Sequence, residues 1–279
     1  MIHFILNPNA GTNSSQKRAR IYSILQAIPH SKVWKTERMN HAYELTKQAI
    51  SEGASKIIAV GGDGTINEIA SALLHSSIPL GIIPMGSGNG LARHLEIPFA
   101  FEKALLRALN GEIISIDAGQ WNERTFFCTA GIGFDAYVAA HFASRGKRGF
   151  INYIYSSLVS LRTYKPIEIK GKGPSFSFTV ANANQFGNNA YISPESDLQD
   201  GQLEAIYIKS SPIWSLVNLG ISLFRKNIHN NPLVTISAIK SAQIQTCAGI
   251  PYHLDGESFL LESESIYITI LPSSLLVIK

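Results

Sequence analysis

The chain has 279 residues, of which 45% are hydrophobic and 16% are charged, a globular composition with enough length for one large or two medium domains. The net charge of +4 favours anionic partners such as nucleotides or a membrane surface. No arginine-rich arm or zinc-finger spacing indicates nucleic acid. No apolar run reaches the ~18 residues that span a bilayer, and residues 1–6 are too few for a secretory signal.

The cysteines bear on the cellular compartment. Cys128 and Cys247 both lie in apolar, strand-like contexts, which predicts that both are buried free thiols. Because free thiols persist in reducing compartments, we expect a cytoplasmic protein.

The first third of the chain alternates strand and helix signals. Predicted strands cover residues 2–6, 32–36, 56–60 and 79–83, and predicted helices cover residues 16–27, 41–53, 66–76 and 91–95. Gly53 is a typical helix stop. Strands that alternate with helices at this spacing predict a doubly wound, mostly parallel α/β sheet.

The pattern of predicted secondary structure changes around Asp117. Beyond it, short β-rich runs such as residues 175–184 and 202–208 alternate with turns, and two helical stretches interrupt them. This pattern is typical of an antiparallel, β-sandwich-like sheet. We therefore predict an α/β domain over residues 1–117 and a β-rich domain over residues 118–271. Residues 272–279 form a last strand that could rejoin the first domain.

The stretch "VGGDGTINE" follows a predicted strand in the α/β domain. Gly61, Gly62 and Gly64 allow positive φ and the close approach of a ligand to backbone N–H groups. Thr65 and Glu68 have the spacing of a capping box, which predicts that a helix begins at Thr65. A strand, a glycine turn and a helix N-terminus together make an anion site.

Asp63 is unexpected in an anion site because it brings negative charge towards phosphate. It could bind Mg²⁺ that accompanies a nucleotide, take a proton from an attacking hydroxyl, or simply be exposed in an Asp-Gly turn. Two other loops, residues 7–11 and 84–90, follow neighbouring strands. Ligands of open parallel sheets settle at such strand ends, so three loops there predict a nucleotide site. Neither a Walker A motif nor a G-x-G-x-x-G fingerprint is present.

Four motifs occur in a fixed order: "NPNAG", "GGDGTINE", "PMGSGNGLAR" and "LDGE". Together they resemble the diacylglycerol kinase catalytic-domain family, which includes bacterial lipid kinases and sphingosine and ceramide kinases. The resemblance implies an N-terminal nucleotide-binding domain and a C-terminal lipid domain. It also implies transfer of phosphate from ATP, with Mg²⁺, to the hydroxyl of a lipid such as diacylglycerol or a sphingoid-like lipid.

The resemblance also assigns roles to individual residues. The implied nucleotide contacts are Asn7, Pro8, Asn9, Ala10, Gly11, Thr36, Gly62, Gly64, Thr65, Ile66, Asn67, Glu68, Ser87, Asn89 and Glu257. Asp255 matches the proposed general base, and Asp63 is the competing candidate. The residues alone first indicate a hairpin turn at Asp255. If this segment is extended instead, the carboxylates of Asp255 and Glu257 face the same side.

The segment "SDLQDGQLE" matches a family motif that holds a structural Mg²⁺. The resemblance implies oxygen ligands from Asp197, Asp200 and Gln202, and hard oxygen ligands suit this ion. The alternative is a turn with solvated aspartates. Asp117 matches a family aspartate near the phosphate and metal network.

Two departures from the family pattern affect the interpretation. The lysine that often follows the first motif immediately is missing, and Lys17 and Arg20 lie several residues further on. They could reach the phosphates as point charges or lie on a solvated helix face. Gly90 stands where many bacterial diacylglycerol kinases carry an aspartate, which weakens the diacylglycerol assignment.

A lipid kinase without a spanning segment must work at the membrane surface, so we expect a peripheral association. One candidate contact is the stretch 144–165, with Arg145, Lys147 and Arg148 beside apolar residues. A second candidate is the stretch 212–226, with Trp214 and Phe224 as interfacial anchors. The alternative for both is a helix that packs on the β-sheet.

Two other functions fit some of the motifs. An NAD kinase-like or phosphofructokinase-like enzyme would use the "GGDG" turn with a soluble acceptor. A non-catalytic sensor of lipid or nucleotide could keep the same fold. The oligomeric state also stays open, since edge strands could pair in a homodimer.

Overall fold

The computed structural model describes residues 1–11, 15–144, 155 and 157–279. The chain divides into two compact units. Unit 1 comprises Met1–Ile116 and Ser273–Lys279, and unit 2 comprises Asp117–Pro272. Unit 2 is therefore an insertion within the sequence of unit 1.

Unit 1 is built on parallel strands. They are β1 (Ile2–Leu6), β2 (Ser31–Lys35), β3 (Lys56–Gly61) and β4 (Leu80–Pro84). The order in the sheet is β2-β1-β3-β4, and every pair is parallel. Val277 of the C-terminal segment pairs in parallel with Leu80 of β4. The predicted parallel α/β fold is confirmed.

Five helices accompany these strands in the described part of unit 1. They are α1 (Ser15–Gln26), α2 (His41–Ser51), α3 (Asp63–Leu73), α4 (Gly90–His94) and α5 (Phe101–Asn110). After α2, Gly53 has φ +76° and its N–H donates to the carbonyl of Ile50, which is the expected helix stop. Helix α5 was not predicted from the sequence, and its buried residues are Ala104, Leu105 and Ala108.

Strand and helix side chains form the core of unit 1. Its fully buried members include Phe4, Ile5, Ile57, Ile58, Ile69, Leu73, Leu80 and Ile83. The residues of β3 and β4 are buried almost throughout, as expected for inner strands of a parallel sheet covered on both faces.

The predicted capping box at Thr65 and Glu68 is wrong. Helix α3 begins at Asp63, and no side chain caps it. The Glu68 carboxylate instead accepts hydrogen bonds from the backbone N–H groups of Asn40 and Ala42, both at 2.9 Å. These amides lie at the N-terminus of α2, so Glu68 satisfies the open donors of a neighbouring helix rather than its own.

Unit 2 is built mainly on antiparallel strands, as predicted. Its strands are β5 (Ile113–Trp121), β6 (Arg124–Phe126), β7 (Thr129–Gly133), β8 (Ile167–Ile169), β9 (Gly173–Ala181), β10 (Leu203–Lys209), β11 (Val234–Ile239), β12 (Ser241–Gln245), β13 (Pro251–Leu254), β14 (Glu257–Leu260) and β15 (Ser265–Ile278). The main sheet has the order β11-β10-β9-β7-β13-β14, with β8 also paired to β9. The boundary between the units falls within β5 and β15.

Two apolar clusters stabilise unit 2. The first contains Trp121, which stacks on Tyr252 with ring centroids 5.9 Å apart. The second contains Phe176, Ile206 and Leu219. It lies beneath helix α7 (Ile213–Phe224), which together with α6 (Phe134–Ser144) supplies helical structure to this unit.

Two findings bear on the compartment and the membrane. Both cysteines are free, but only Cys128 is buried, so the prediction that Cys247 is buried is wrong. In the part of the chain that the structure describes, every helix is too short or too polar to cross a bilayer. Residues Arg145, Lys147 and Arg148 of the first predicted membrane contact lie outside the described residues.

Candidate functional site

Three loops at the carboxyl ends of neighbouring strands are joined by hydrogen bonds in unit 1. The Asn7 N–H donates to the carbonyl of Val60 at 3.0 Å, which links the first loop to β3. The Asn7 side-chain amide donates to the Thr65 hydroxyl at 3.0 Å, which links the same loop to α3. The Met85 N–H donates to the carbonyl of Gly61 at 2.7 Å. The structure therefore brings the three predicted loops together at one edge of the sheet.

The two glycine turns touch through their backbones. A Cβ atom added to Gly86 would lie 2.7 Å from the Cα of Gly62, and one added to Gly62 would lie 3.1 Å from the Cα of Gly86. Contacts that close exclude a side chain at Gly86 unless the backbone shifts. The glycines therefore permit the packing of one loop on the other, in addition to any approach of a ligand.

The carboxylate of Asp63 is held by the second glycine loop. Its Oδ2 accepts a hydrogen bond from the Asn89 N–H, and its Oδ1 accepts one from the Gly90 N–H, both at 2.8 Å. These donors begin helix α4, where the first backbone amides have no intrahelical partner. Asp63 is thus neither a solvated turn residue nor an anion pointed at phosphate, because it neutralises the start of α4.

Asn89 shapes the loop in which it stands. Its side chain is 1% exposed, and it accepts from the Gly86 N–H at 3.0 Å and donates to the Gly86 carbonyl at 2.8 Å. Asn89 also adopts φ +52°, which asparagine tolerates better than most residues. The amide group is therefore occupied by its own loop, and the nucleotide contact assigned to Asn89 stays a prediction.

A pocket of about 530 Å³ opens beside the second glycine loop of unit 1. Gly86 and Ser87 line it from the loop, and Lys17 and Arg20 line it from α1. Cations beside a glycine-rich backbone provide the charge that a phosphate chain requires. The structure thus gives Lys17 and Arg20 a place at the pocket rather than only on a solvated helix face.

The other predicted nucleotide residues of unit 1 are placed less directly. Thr36 is buried, and its N–H donates to the carbonyl of Leu6 at 2.9 Å, so it extends β2 beside the first loop. The Asn9 N–H donates to the side chain of Asn7 at 2.9 Å and closes the turn of the first loop. Glu68 is committed to the amides of α2.

In unit 2, Asp255 and Gly256 form the turn between β13 and β14. Both have positive φ, +48° and +85°, as the two-residue hairpin turn requires. Leu254 pairs with Glu257 across this turn. The prediction that Asp255 and Glu257 share one face of an extended segment is therefore wrong, because the chain reverses direction between them.

The carboxylate of Asp255 is anchored by three backbone amides. Its Oδ2 accepts from the Phe127 N–H at 2.8 Å, and its Oδ1 accepts from Cys128 at 2.7 Å and from Thr129 at 2.9 Å. The Asp255 N–H in turn donates to the Thr129 carbonyl at 2.8 Å. Hydrogen bonds from three amides fix the orientation of this carboxylate. The residue is therefore more than a turn former, since both its oxygens are fixed in place.

The predicted metal segment is folded by local hydrogen bonds. Asp197 accepts from the Gln199 N–H at 3.0 Å, and Asp200 accepts from the Gln202 N–H at 2.9 Å, each through Oδ1. Buried Asp117 accepts from the Gly201 N–H at 2.7 Å and so holds the same loop. The described residues contain no group of three or more His, Cys, Asp or Glu side chains arranged for a metal ion.

A partly buried carboxyl, Glu204, adjoins this loop. Burial raises the pKa of the Glu204 carboxyl, a hydrogen bond from Ser196 opposes that shift, and the charges of Asp200 and Asp197 add to it. Oxygen donors are the correct chemistry for Mg²⁺, which commonly uses one or two carboxylates and several waters. The residues thus fit a hydrated Mg²⁺ but not an all-protein cage.

Comparison with known proteins supports the same interpretation of both units. Residues 1–121 match the diacylglycerol kinase catalytic domain, and residues 128–279 match the YegS C-terminal NAD kinase beta sandwich-like domain. The lipid kinase YegS of Escherichia coli (strain K12) is 32% identical over 249 residues, which cover 84% of this chain and 81% of that protein. The chain belongs to the YegS-like lipid kinase family.

Solved structures show that the fold of this lipid kinase family extends over the whole chain. A crystal structure described as a diacylglycerol kinase from Bacillus anthracis matches with a TM-score of 0.72 and 21% identity, over 99% of this chain and 96% of the other. A second structure from that organism matches with a TM-score of 0.80 and 23% identity, over 99% and 94%. At these identities the matches establish the fold.

One polar cluster of unit 2 was not predicted from the sequence. Asp135 Oδ2 accepts a hydrogen bond from the Thr179 hydroxyl at 2.6 Å and lies 3.2 Å from the Nε2 atom of His253, which is 2% exposed. Gly131 leaves room for the pair, because a Cβ there would meet Asp135 Oδ2 at 2.6 Å. The available signal was "GIGFDA", a second strand, glycine, aspartate and helix sequence that resembles "VGGDGT" in type.

Proposed function

We propose that the protein is an ATP-dependent kinase that transfers the γ-phosphate to a hydroxyl of a lipid, such as diacylglycerol or a sphingoid-like lipid. The observation that carries this proposal is the set of three joined loops in unit 1, next to a pocket lined by Lys17 and Arg20. Membership of the lipid kinase family supports the same reaction.

Phosphate binding would fall to the backbone and cations of unit 1. Phosphoryl transfer needs in-line positioning and neutralisation of charge more than covalent help. The loops at residues 7–11 and 84–90 offer main-chain donors, and Lys17 and Arg20 offer positive charge at the pocket. The pocket is also lined by Ile21, Ile24 and Phe99, which provide an apolar wall.

Unit 2 would supply the acidic groups that act on the acceptor. We propose that Asp255 accepts the proton of the acceptor hydroxyl. Its two oxygens are fixed by the amides of Phe127, Cys128 and Thr129. Preorganisation of this kind removes the cost of orienting the base during the reaction. Asp63 is the competing candidate, and its two oxygens accept hydrogen bonds from the N-terminus of α4.

The proposal also includes Mg²⁺ as a cofactor. Asp197, Asp200 and Gln202 are the residues we propose as ligands, and Asp117 would hold their loop in place. A bound Mg²⁺ supplies positive charge that stabilises negatively charged oxygens. We expect that titration with Mg²⁺ raises the melting temperature, and that Asp200→Asn reduces this rise.

Transfer of radiolabel from ATP to a panel of acceptors tests the proposal. The panel contains diacylglycerol, a sphingoid base, ceramide, phosphatidylglycerol and undecaprenol, together with NAD and a sugar phosphate as soluble acceptors. We expect label in at least one lipid and none in the soluble compounds. If label appears only in a soluble acceptor, that compound replaces the lipid as the proposed substrate. ATP binding without transfer to any acceptor would indicate a sensor.

A further inference from the structure

Helix α7 of unit 2 has apolar residues on two sides. Leu216, Leu219 and Leu223 face the protein, where they pack on the second apolar cluster. The opposite side is also apolar and exposed. Its side chains are Ile213 (49% exposed), Trp214 (71%), Val217 (49%), Ile221 (45%) and Phe224 (48%). We name these five residues the α7 outer face.

The α7 outer face is one continuous stripe. Its members are spaced at positions i, i+1, i+4, i+8 and i+11, which lie on one side of an α-helix. The helix itself contains no charged residue. A large aromatic residue stands near each end of the stripe, as in helices that lie in a membrane interface. Scattered exposed apolar residues need no explanation, but a contiguous stripe marks a contact surface.

The charges around α7 select the kind of partner. From residue 205 to residue 254 the sequence contains no aspartate or glutamate, whereas it contains Lys209, Arg225, Lys226 and Lys240. All four are exposed, and Arg225 and Lys226 directly follow the helix. Lys226 also lies over the ring of Tyr191, with its Nζ atom 4.3 Å from the ring centroid. Cations beside an apolar stripe complement a bilayer surface that carries anionic lipids.

A second copy of the chain fits this surface less well. A helix of 12 residues offers a strip about 18 Å long and about 10 Å wide. That strip is much smaller than the ~800 Å² per partner of a stable interface. In a symmetric dimer the same patch meets itself, and the segment 205–254 that contains α7 carries cations but no aspartate or glutamate.

We propose that the α7 outer face docks this protein on an anionic lipid bilayer, with the helix lying in the plane of the interface. The inference rests on the proposed lipid substrate. It adds the surface through which unit 2 reaches a substrate that resides in a membrane. The helix is too short to span the bilayer, so the contact is peripheral and reversible.

Vesicle binding by the whole chain tests the proposal. Trp214 is 71% exposed, whereas Trp34 is partly buried and Trp121 is 1% exposed, so a change in tryptophan fluorescence on vesicle binding reports mainly on α7. With vesicles of phosphatidylcholine and phosphatidylglycerol, we expect a blue shift and co-sedimentation. The double variant Val217→Gln/Ile221→Gln should bind at least about tenfold more weakly. Leu106→Gln is the matched control, an exposed leucine (61%) on α5 of unit 1, and it should bind as the wild type does.

The electrostatic part is tested separately. Arg225→Gln/Lys226→Gln should weaken binding to vesicles with phosphatidylglycerol by about tenfold and leave the weak binding to phosphatidylcholine unchanged. Equal binding by wild type and Val217→Gln/Ile221→Gln would overturn the proposal, as would no binding by the wild type. A wild-type dimer that becomes monomeric in this variant would replace the bilayer by a second copy.

An acceptor of short chain length, dissolved as a monomer, separates this proposal from the proposed function. The α7 variants should phosphorylate it at the wild-type rate while losing activity on vesicles. Vesicle binding without phosphorylation of any lipid would refute the kinase proposal alone. Normal activity of the α7 variants on vesicles would refute the docking proposal alone.

Discussion

Asp63 in unit 1 and Asp255 in unit 2 are both fixed by backbone amides, but in different surroundings. Asp63 accepts one hydrogen bond on each oxygen from the start of helix α4. Asp255 accepts three hydrogen bonds from residues 127–129, which lead into strand β7. The first carboxylate joins two glycine loops, and the second stands at a hairpin turn.

This difference distinguishes two roles that the sequence alone does not assign to one aspartate or the other. A carboxylate that caps a loop and a helix controls the shape of a binding site. A carboxylate fixed at the tip of a hairpin provides a charge in a constant position. We therefore assign loop organisation to Asp63 and the acceptor proton to Asp255.

The largest effect is expected for Asp255→Asn. The variant lacks the proposed proton acceptor, so the rate of phosphate transfer should fall by about 10²–10⁴-fold. Radiolabel transfer from ATP to the active lipid measures this rate. Glu195→Gln, an exposed carboxylate in the same unit, is the control and should retain the wild-type rate. A wild-type rate in Asp255→Asn would remove the assignment of the proton to this residue.

Asp63→Asn should act mainly on stability and nucleotide binding. An asparagine offers one acceptor oxygen, so its NH₂ group would face one of the two amide donors. The expected loss is about 1–3 kcal/mol of unfolding free energy, with a higher KM for ATP. Urea unfolding and ATP titration measure the two effects. A loss of kcat at unchanged stability and KM would instead reverse the roles of Asp63 and Asp255.

Gly86→Ala probes the loop that Asp63 holds. Because the new Cβ would lie 2.7 Å from the Cα of Gly62, we expect a destabilisation of about 1–3 kcal/mol. Gly220→Ala is the control in α7, where an added Cβ meets no atom within 4 Å. That change should stabilise the protein by about 1 kcal/mol, since alanine favours helix. Equal stability of the two variants would show that the glycine loops can separate.

The smallest effect is expected at Glu204, a partly buried carboxyl that accepts a hydrogen bond from the Ser196 hydroxyl at 2.6 Å. Burial raises its pKa above the usual value, so the folded state binds the proton more tightly than the unfolded state does. Its contribution to stability is complete below the unfolded pKa and is lost as pH rises through the folded pKa. Glu204→Gln removes the ionisable group, so the variant does not lose this stability as pH rises. The melting temperature of the variant relative to wild type should therefore be higher at about pH 7 than at about pH 4.

The fold class could be predicted because each unit has its own periodicity. Buried runs such as residues 56–60 alternate with helices in unit 1, and short β-rich runs follow one another in unit 2. The grouping of the glycine loops followed from the rule that parallel strands end at one edge. These are local patterns with a definite consequence for the sheet.

The predictions that were wrong concern residues for which the sequence allows more than one arrangement. Glu68 could cap its own helix or the neighbouring helix α2, and the spacing of residues does not distinguish the two. The directions of the Asp255 and Glu257 side chains depend on whether the chain extends or turns between them. The Asp135 and His253 pair joins residues far apart in sequence, so no local spacing reveals it.

The C-terminal segment has a consequence for the order of synthesis. Residue 277 pairs with Leu80, and the backbone of Lys279 pairs with that of Glu112. A ribosome makes β4 almost two hundred residues before its parallel neighbour. Until that neighbour is made, β4 leaves an unpaired edge on the nascent sheet. This makes β4 a candidate for chaperone protection during translation.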